Sequence, residues 1–177
     1  MTRRRSQAGF TLLEVMVVCA IIAILAVIAL PSFASQSRKA KGDSEVNAFM
    51  AELRVRQEQY QLEKGSYLST GANETDMFPA GLPTDEYRTL GTLPASWTAL
   101  KFGAPATRAL CTYVVQAGTP DAGTVGPVGA SFGMVAGSSK NWFYILARCN
   151  LDGASSTYSW YFISNTNQKV QRINHGK

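Results

Sequence analysis

The sequence has few of the side chains that enzymes use for chemistry. Its one histidine, His175, is third from the C-terminus, where chains usually fray. It contains no glycine-rich phosphate loop and no paired-cysteine zinc motif. Its 12 acidic residues are scattered along the chain, so no pair of carboxylates stands out as a catalytic couple. We therefore predict that the protein is not an enzyme and needs no cofactor.

The chain also lacks a strong overall charge once its first residues are set aside. Its net charge is +5, but Arg3, Arg4 and Arg5 contribute three of those charges and leave +2 for the rest. A nearly neutral domain lacks the basic footprint of a nucleic-acid-binding protein, so we predict no specific nucleic-acid partner. The 177 residues suffice for one domain with a real core.

One long uncharged apolar run near the N-terminus dominates what the sequence does contain. The 16 residues Val15–Leu30 carry no charge, and the 21 residues from Phe10 to Leu30 are interrupted only by Thr11 and Glu14. At about 1.5 Å per helical residue, such a stretch matches a bilayer core of roughly 30 Å. The arginines ahead of it predict a cytoplasmic N-terminus and an exported remainder.

Glu14 stands at the front of this run, where a carboxylate costs at least about 2.5–3.5 kcal/mol inside a membrane. A cut between Gly9 and Phe10 creates an α-amino group four residues before Glu14. In a stack of identical helices, the amine of one subunit can meet the carboxylate of its neighbour, which satisfies both charges away from water. The pattern thus favours a chain that assembles.

The segment GFTLLE, from Gly9 to Glu14, resembles the processing motif of type IV prepilins and type II secretion pseudopilins. The basic leader before it and Pro31 after it also match, and the resemblance covers roughly residues 1–67. It implies cleavage between Gly9 and Phe10 by a prepilin peptidase, N-methylation of Phe10, and assembly through Phe10 and Glu14.

The same resemblance implies a structural subunit of a type IV pilus, major or minor, serving adhesion, motility or DNA uptake. The alternative within the family is a pseudopilin of a type II secretion or competence system. The implied partners are like subunits, an inner-membrane platform protein and an assembly ATPase. The implied location is the bacterial inner membrane as a single-pass precursor, followed by a cell-surface or periplasmic filament.

Readings outside this family also exist for the N-terminal segment. An ordinary secretory signal could end at Ser32-Phe33-Ala34, but such signals rarely place Glu at the front of the apolar core. A twin-arginine signal lacks its usual apolar residue after the arginine pair, and a plain signal anchor leaves Glu14 unexplained. These readings would make the protein a secreted or signal-anchored globular binding domain.

The pattern after the apolar run predicts that one helix continues from Phe10 to about Glu63, bent at Pro31 and weakened at Gly42. Gly65 is placed to cap its end. Apolar residues at steps of three and four predict a buried stripe; they are Val46, Phe49, Met50, Leu53 and Tyr60. The first half of the helix is apolar all round and should protrude, whereas the stripe should cover a sheet.

Four β-rich segments near the C-terminus predict an antiparallel sheet packed on that stripe, an α+β arrangement. They lie at 111–116, 141–149, 157–164 and 169–173, with a Gly/Pro-rich loop at 119–129.

The whole chain is expected to have five parts. They are a leader at 1–9, a membrane-spanning and filament-core half-helix at 10–34, an amphipathic half-helix at 35–64, a variable connecting region with one short strand or helix at 65–109, and the sheet with the C-terminal region at 110–177.

Two smaller features carry predictions of their own. Cys111 and Cys149 lie in the exported part, where disulfides persist, and a bridge between them would contribute roughly 4 kcal/mol. Asn150, Asp152 and Ser155 suggest a calcium loop, but calcium prefers several carboxylates and this loop has one. We therefore favour a plain turn, predict no metal, and keep Asp152 as a weak metal-ligand candidate.

Overall fold

The computed structural model describes residues 10–120, 122–135, 139–154 and 157–174, without the side chains of residues 31, 32, 34 and 35. The chain divides into two compact units, Met1–Ser37 and Arg38–Lys177. Helix α1 (Leu12–Lys64) contributes to both units. The other elements all belong to the second unit: β1 (Arg88–Thr89), α2 (Ala95–Ala99), β2 (Arg108–Ala109), β3 (Cys111–Gly118), α3 (Pro127–Ser131), β4 (Trp142–Cys149), β5 (Ser159–Ser164) and β6 (Gln171–Ile173).

Helix α1 ends where the sequence predicts. Gly65 adopts φ +78° and its N–H donates to the Gln61 carbonyl at 2.8 Å, as a C-terminal glycine cap does. The helix runs through Gly42 without a break. A Cβ at Gly42 would lie 2.7 Å from the Leu151 side chain, so this glycine lets the segment after β4 pack against α1 rather than weakening the helix.

Strands β3, β4, β5 and β6 form one antiparallel sheet in that order, which confirms the predicted α+β fold. Within the second unit, the stripe of α1 packs on one sheet face through buried Val46, Phe49, Met50 and Leu53. A second apolar cluster, with Val114, Trp142, Tyr144 and Phe162 among its members, covers the opposite face. The two clusters alternate along each strand because successive side chains point to opposite faces.

The buried stripe of α1 differs from the prediction at its C-terminal end. Gln57 is fully buried there, while Tyr60 is only half-buried. The Gln57 amide donates to the Leu68 carbonyl at 2.6 Å and accepts from the Leu68 N–H at 2.9 Å. These two hydrogen bonds satisfy a buried polar side chain and fix the position of the chain after the end of the helix.

The connecting region is more ordered than the prediction of one short element. It contains α2 and strand β1, and β1 pairs with β2 in a separate two-stranded sheet. Trp97 of α2 is buried against Phe78 and Phe102, so this region contributes to the core.

The prediction of a loop at 119–129 is wrong at its C-terminal end. Helix α3 begins there at Pro127, a residue that suits a first helical turn.

Candidate assembly site at the N-terminal helix

Helix α1 starts at Leu12, and Thr11 caps it. The Thr11 hydroxyl accepts a hydrogen bond from the Glu14 N–H at 3.2 Å, and the Thr11 carbonyl accepts from the Val15 N–H at 3.3 Å. Serine and threonine are preferred here because the side-chain oxygen satisfies an N–H that has no partner inside the helix. The Thr-Leu-Leu-Glu sequence therefore fixes the helix start at Leu12, two residues after Phe10.

Phe10 and Glu14 are both exposed in the single chain. Phe10 is 81% exposed, and the Glu14 side chain lies in the first turn of α1. Within the described residues, no hydrogen bond or ion pair engages the Glu14 carboxylate. The partial positive charge of a helix N-terminus favours an acid at this position but provides no counter-charge. Gly9, on the other side of the predicted cut, lies outside the described residues.

The apolar run forms one helical span that could cross a membrane, the only such span among the described residues. It covers the 19 residues Leu12–Leu30, has a mean hydropathy of 3.0, and none of it is buried within the chain. Its length as a helix is about 28 Å, close to the roughly 30 Å of a bilayer core. An exposed apolar surface of this size requires lipid or other apolar helices as its surroundings.

A disulfide joins the first two strands of the main sheet. Cys111 and Cys149 face each other across β3 and β4, with Cα atoms 4.4 Å apart, a separation within the usual range for a disulfide. Cys19, in the apolar span, is a free exposed thiol. The bridge therefore lies entirely in the second unit, in the sheet that packs on α1.

A half-buried carboxylate of α1 contacts the backbone beside this disulfide. Glu45 accepts hydrogen bonds from the Leu110 N–H at 2.8 Å, the Cys111 N–H at 3.0 Å and the Tyr113 hydroxyl at 2.8 Å. Burial raises the pKa of Glu45, and these three donors act in the opposite direction. No local sequence pattern indicates this contact, because the partners of Glu45 lie 65 or more residues away.

The loop after β4 has the hydrogen bonds of a turn. Asp152 accepts from the Ala154 N–H at 2.9 Å. The Asn150 side chain accepts from the Gly153 N–H at 2.8 Å and donates to the Ala154 carbonyl at 3.0 Å. Ser155, the third residue considered for calcium, lies outside the described residues, as does His175. The described residues contain no group of three or more His, Cys, Asp or Glu side chains placed to hold a metal.

Comparison with known proteins points to the same N-terminal region. Residues 4–30 match the family described as the prokaryotic N-terminal methylation motif. The matched residues include Phe10, Glu14 and the whole exposed apolar span Leu12–Leu30.

One curated relative is a pilus component. The chain is 41% identical over 68 residues to the type IV wide pilus major component PilA4 of Thermus thermophilus. The matched segment is 38% of this chain and 51% of the relative, so the chain spans about half the length of the curated relative it matches. No solved structure matches the chain.

Proposed function

We propose that this protein is a structural subunit of a type IV pilus, major or minor, that assembles through its N-terminal helix. The observation that carries the proposal is the unburied apolar span Leu12–Leu30, which begins two residues after Phe10 and carries Glu14 in its first turn. Similarity to a protein named as a wide-pilus component favours a pilus over a secretion or competence pseudopilin. The filament serves adhesion, motility or DNA uptake.

The proposed maturation step is hydrolysis of the Gly9–Phe10 peptide bond by a prepilin peptidase, followed by N-methylation of the new amine. Removal of residues 1–9 exposes a cation at Phe10, four residues before Glu14. Thr11 supports this arrangement, because its cap starts the helix at Leu12 and fixes Glu14 in the first turn. The Phe10 amine then has a defined position relative to the helix axis.

The proposed assembly contact joins the Glu14 carboxylate of one subunit to the Phe10 amine of another. Neither charge has a counter-ion in a lone subunit within lipid, and a buried ion pair is tolerated only when both partners are present. The contact therefore favours assembly and sets the register between neighbouring helices. In the filament core, the apolar segment Leu12–Leu30 of each subunit then packs against the same segment of its neighbours instead of against lipid.

The proposed organisation follows from these steps. Residues 1–9 are the leader, 10–34 the membrane-spanning and filament-core half-helix, 35–64 the half-helix that covers the sheet, 65–109 the connecting region and 110–177 the sheet with the C-terminal region. The precursor is held in the inner membrane with its N-terminus in the cytoplasm. A platform protein and an assembly ATPase then move it into a surface or periplasmic filament.

The decisive experiment is mass spectrometry of the N-terminal peptide of the mature protein, taken from filaments sheared off native cells. We expect a chain that begins at Phe10 and carries one N-methyl group. An intact Met1, or a start at Ser35, would contradict the proposal and point to a signal-anchored or secreted domain. Recovery of the processed chain only in envelope fractions, never in sheared filaments, would favour a pseudopilin instead.

A further inference from the structure

A cavity of about 310 Å³ lies on the sheet face opposite α1. Its floor comes from the sheet, with Gln116 of β3, Arg148 of β4 and Trp160 of β5, and one wall comes from the connecting region, with Asn73 and Glu74. Small-molecule sites of roughly 300–1,000 Å³ combine aromatic surface with a few placed polar groups in this way. No described residue of α1 lines the cavity, so it lies apart from the proposed assembly site at Phe10 and Glu14.

Arg148 gives the cavity a cation without a counter-ion. Its guanidinium is half-buried and lies 5.4 Å from the Tyr158 ring centroid and 5.6 Å from that of Trp160. No described carboxylate lies within ion-pairing distance of it, and its buried Nε has no hydrogen-bond partner. Burial lowers the pKa of Arg148, and nearby Arg88 acts in the same direction. Aromatic faces orient a guanidinium, but an anionic ligand would stabilise it far more.

Two amide side chains supply hydrogen-bonding groups with fixed orientation. Asn73 accepts from the Thr75 N–H at 2.9 Å through its Oδ1, which leaves its two N–H donors without a described partner. Gln116 donates to the Gly71 carbonyl at 3.1 Å, which leaves its Oε1 as an acceptor. The cavity therefore combines a free donor group, a free acceptor and a free cation.

A buried carboxylate fixes the wall of the cavity. Glu74 is 5% exposed and accepts from the Val128 N–H at 2.8 Å, the Gly129 N–H at 2.6 Å and the Tyr144 hydroxyl at 2.9 Å. A Cβ at Gly126 would lie only 2.2 Å from the Glu74 side chain, so the chain needs glycine there to pass so close. Glu74 thus ties the segment before and within α3 to the sheet, and its charge is already satisfied.

We propose that this cavity binds an acidic sugar residue, with the carboxylate on the Arg148 guanidinium and the ring hydroxyls on Asn73 and Gln116. A carboxylate alone would pair with Arg148 but has no hydrogen-bond donor for the Gln116 oxygen. A neutral sugar would satisfy both amides but leave the cation unpaired. A hydroxyl both donates and accepts, and the apolar C–H face of a sugar ring packs on aromatic surface such as Trp160. A uronic acid unit combines all these groups in one ring.

The test is calorimetric titration of the full-length chain in detergent micelles with three probes. Methyl β-glucuronide carries the carboxylate and the hydroxyls, methyl β-glucoside only the hydroxyls, and N-acetylglycine only the carboxylate. We expect millimolar binding of the glucuronide and at least about tenfold weaker binding of the other two. Equal binding of the glucoside or of N-acetylglycine, or no binding of the glucuronide, would overturn the proposal.

Two substitutions locate the site, and a third is their control. Arg148→Gln should weaken glucuronide binding by about tenfold, to the level of the glucoside. Asn73→Asp keeps the oxygen that Thr75 binds but replaces two donors with a negative charge, and Asn73 is exposed, so the fold should survive while binding falls. Arg54→Gln, on α1 and outside this cavity, should change nothing. Undiminished glucuronide binding by either cavity variant would place the ligand elsewhere and refute the assignment.

Discussion

The Tyr113 hydroxyl donates to the Glu45 carboxylate across 2.8 Å and so joins the central part of α1 to the first strand of the main sheet. The same carboxylate accepts hydrogen bonds from the N–H groups of Leu110, which directly precedes β3, and of Cys111, the first residue of β3. Tyr113 is fully buried, and its pKa is raised mainly by burial and then by the charge of Glu45. One side chain therefore satisfies three donors where the helix meets the sheet.

Replacing Glu45 by alanine should destabilise the folded unit by about 2–4 kcal/mol, because three donors lose their acceptor and an unsatisfied buried donor costs about 1–3 kcal/mol. The measurement is urea unfolding of the full-length protein in micelles, followed by tryptophan fluorescence. Glu86→Ala is the matched control, since Glu86 is exposed and should change little. Equal midpoints for the two variants would show that the Glu45 contact contributes nothing.

Stability should depend on pH through the same carboxyl. Burial raises the pKa of Glu45, so the folded protein still holds this proton at a pH where the unfolded chain has lost it. The resulting stability is fully present below the unfolded pKa, which is about 4.3, and is lost as pH rises through the folded pKa. The unfolding free energy of Glu45→Gln, measured across this window, should therefore fall less with pH than that of the wild type. Parallel curves would contradict the assignment.

Removal of the disulfide should weaken the second unit and leave the apolar span unaffected. The double substitution Cys111→Ser with Cys149→Ser should lower the free energy of unfolding by about 2–4 kcal/mol, since the bridge closes a loop of 38 residues. Reduction of the wild type should give a loss of similar size. Cys19→Ser is the control and should leave the unfolding midpoint unchanged. A double variant as stable as the wild type would show that the bridge does not stabilise the fold.

The elements with strong local patterns could be predicted from the sequence. The apolar run predicted the membrane-length span, alternating β-rich segments predicted the four strands, and Gly65 predicted the helix end. Three hydrogen-bonded polar side chains could not be predicted, namely the buried Gln57 and Glu74 and the half-buried Glu45, because the partners of each lie in other segments of the chain. Glu74, for example, bonds α3 residues 54 and 55 positions later. No periodicity within a single segment encodes such a pairing. The proposed sugar-binding cavity depends on this contact between Glu74 and α3.

The proposed assembly contact at Glu14 makes the sharpest prediction about function. Glu14→Val removes the carboxylate and adds to the apolar surface, so membrane insertion and cleavage after Gly9 should proceed. Filament yield should fall by about tenfold or more, because the Phe10 amine of each incoming subunit would then be buried without a partner. The measurement is the amount of subunit in sheared filaments relative to the amount of processed subunit in membranes.

Two conservative variants separate the effect of the Glu14 charge from the effect of its side-chain shape. Glu14→Asp keeps the carboxylate but shortens its reach, and Glu14→Gln keeps the shape but removes the charge. If the ion pair sets the register, the aspartate variant should retain more filament than the glutamine variant, although both keep the backbone N–H that Thr11 caps. Filament yields ranked the other way would mean that side-chain size at Glu14, and not its charge, governs packing of the α1 helices. Full yield from all three variants would remove Glu14 from the assembly mechanism.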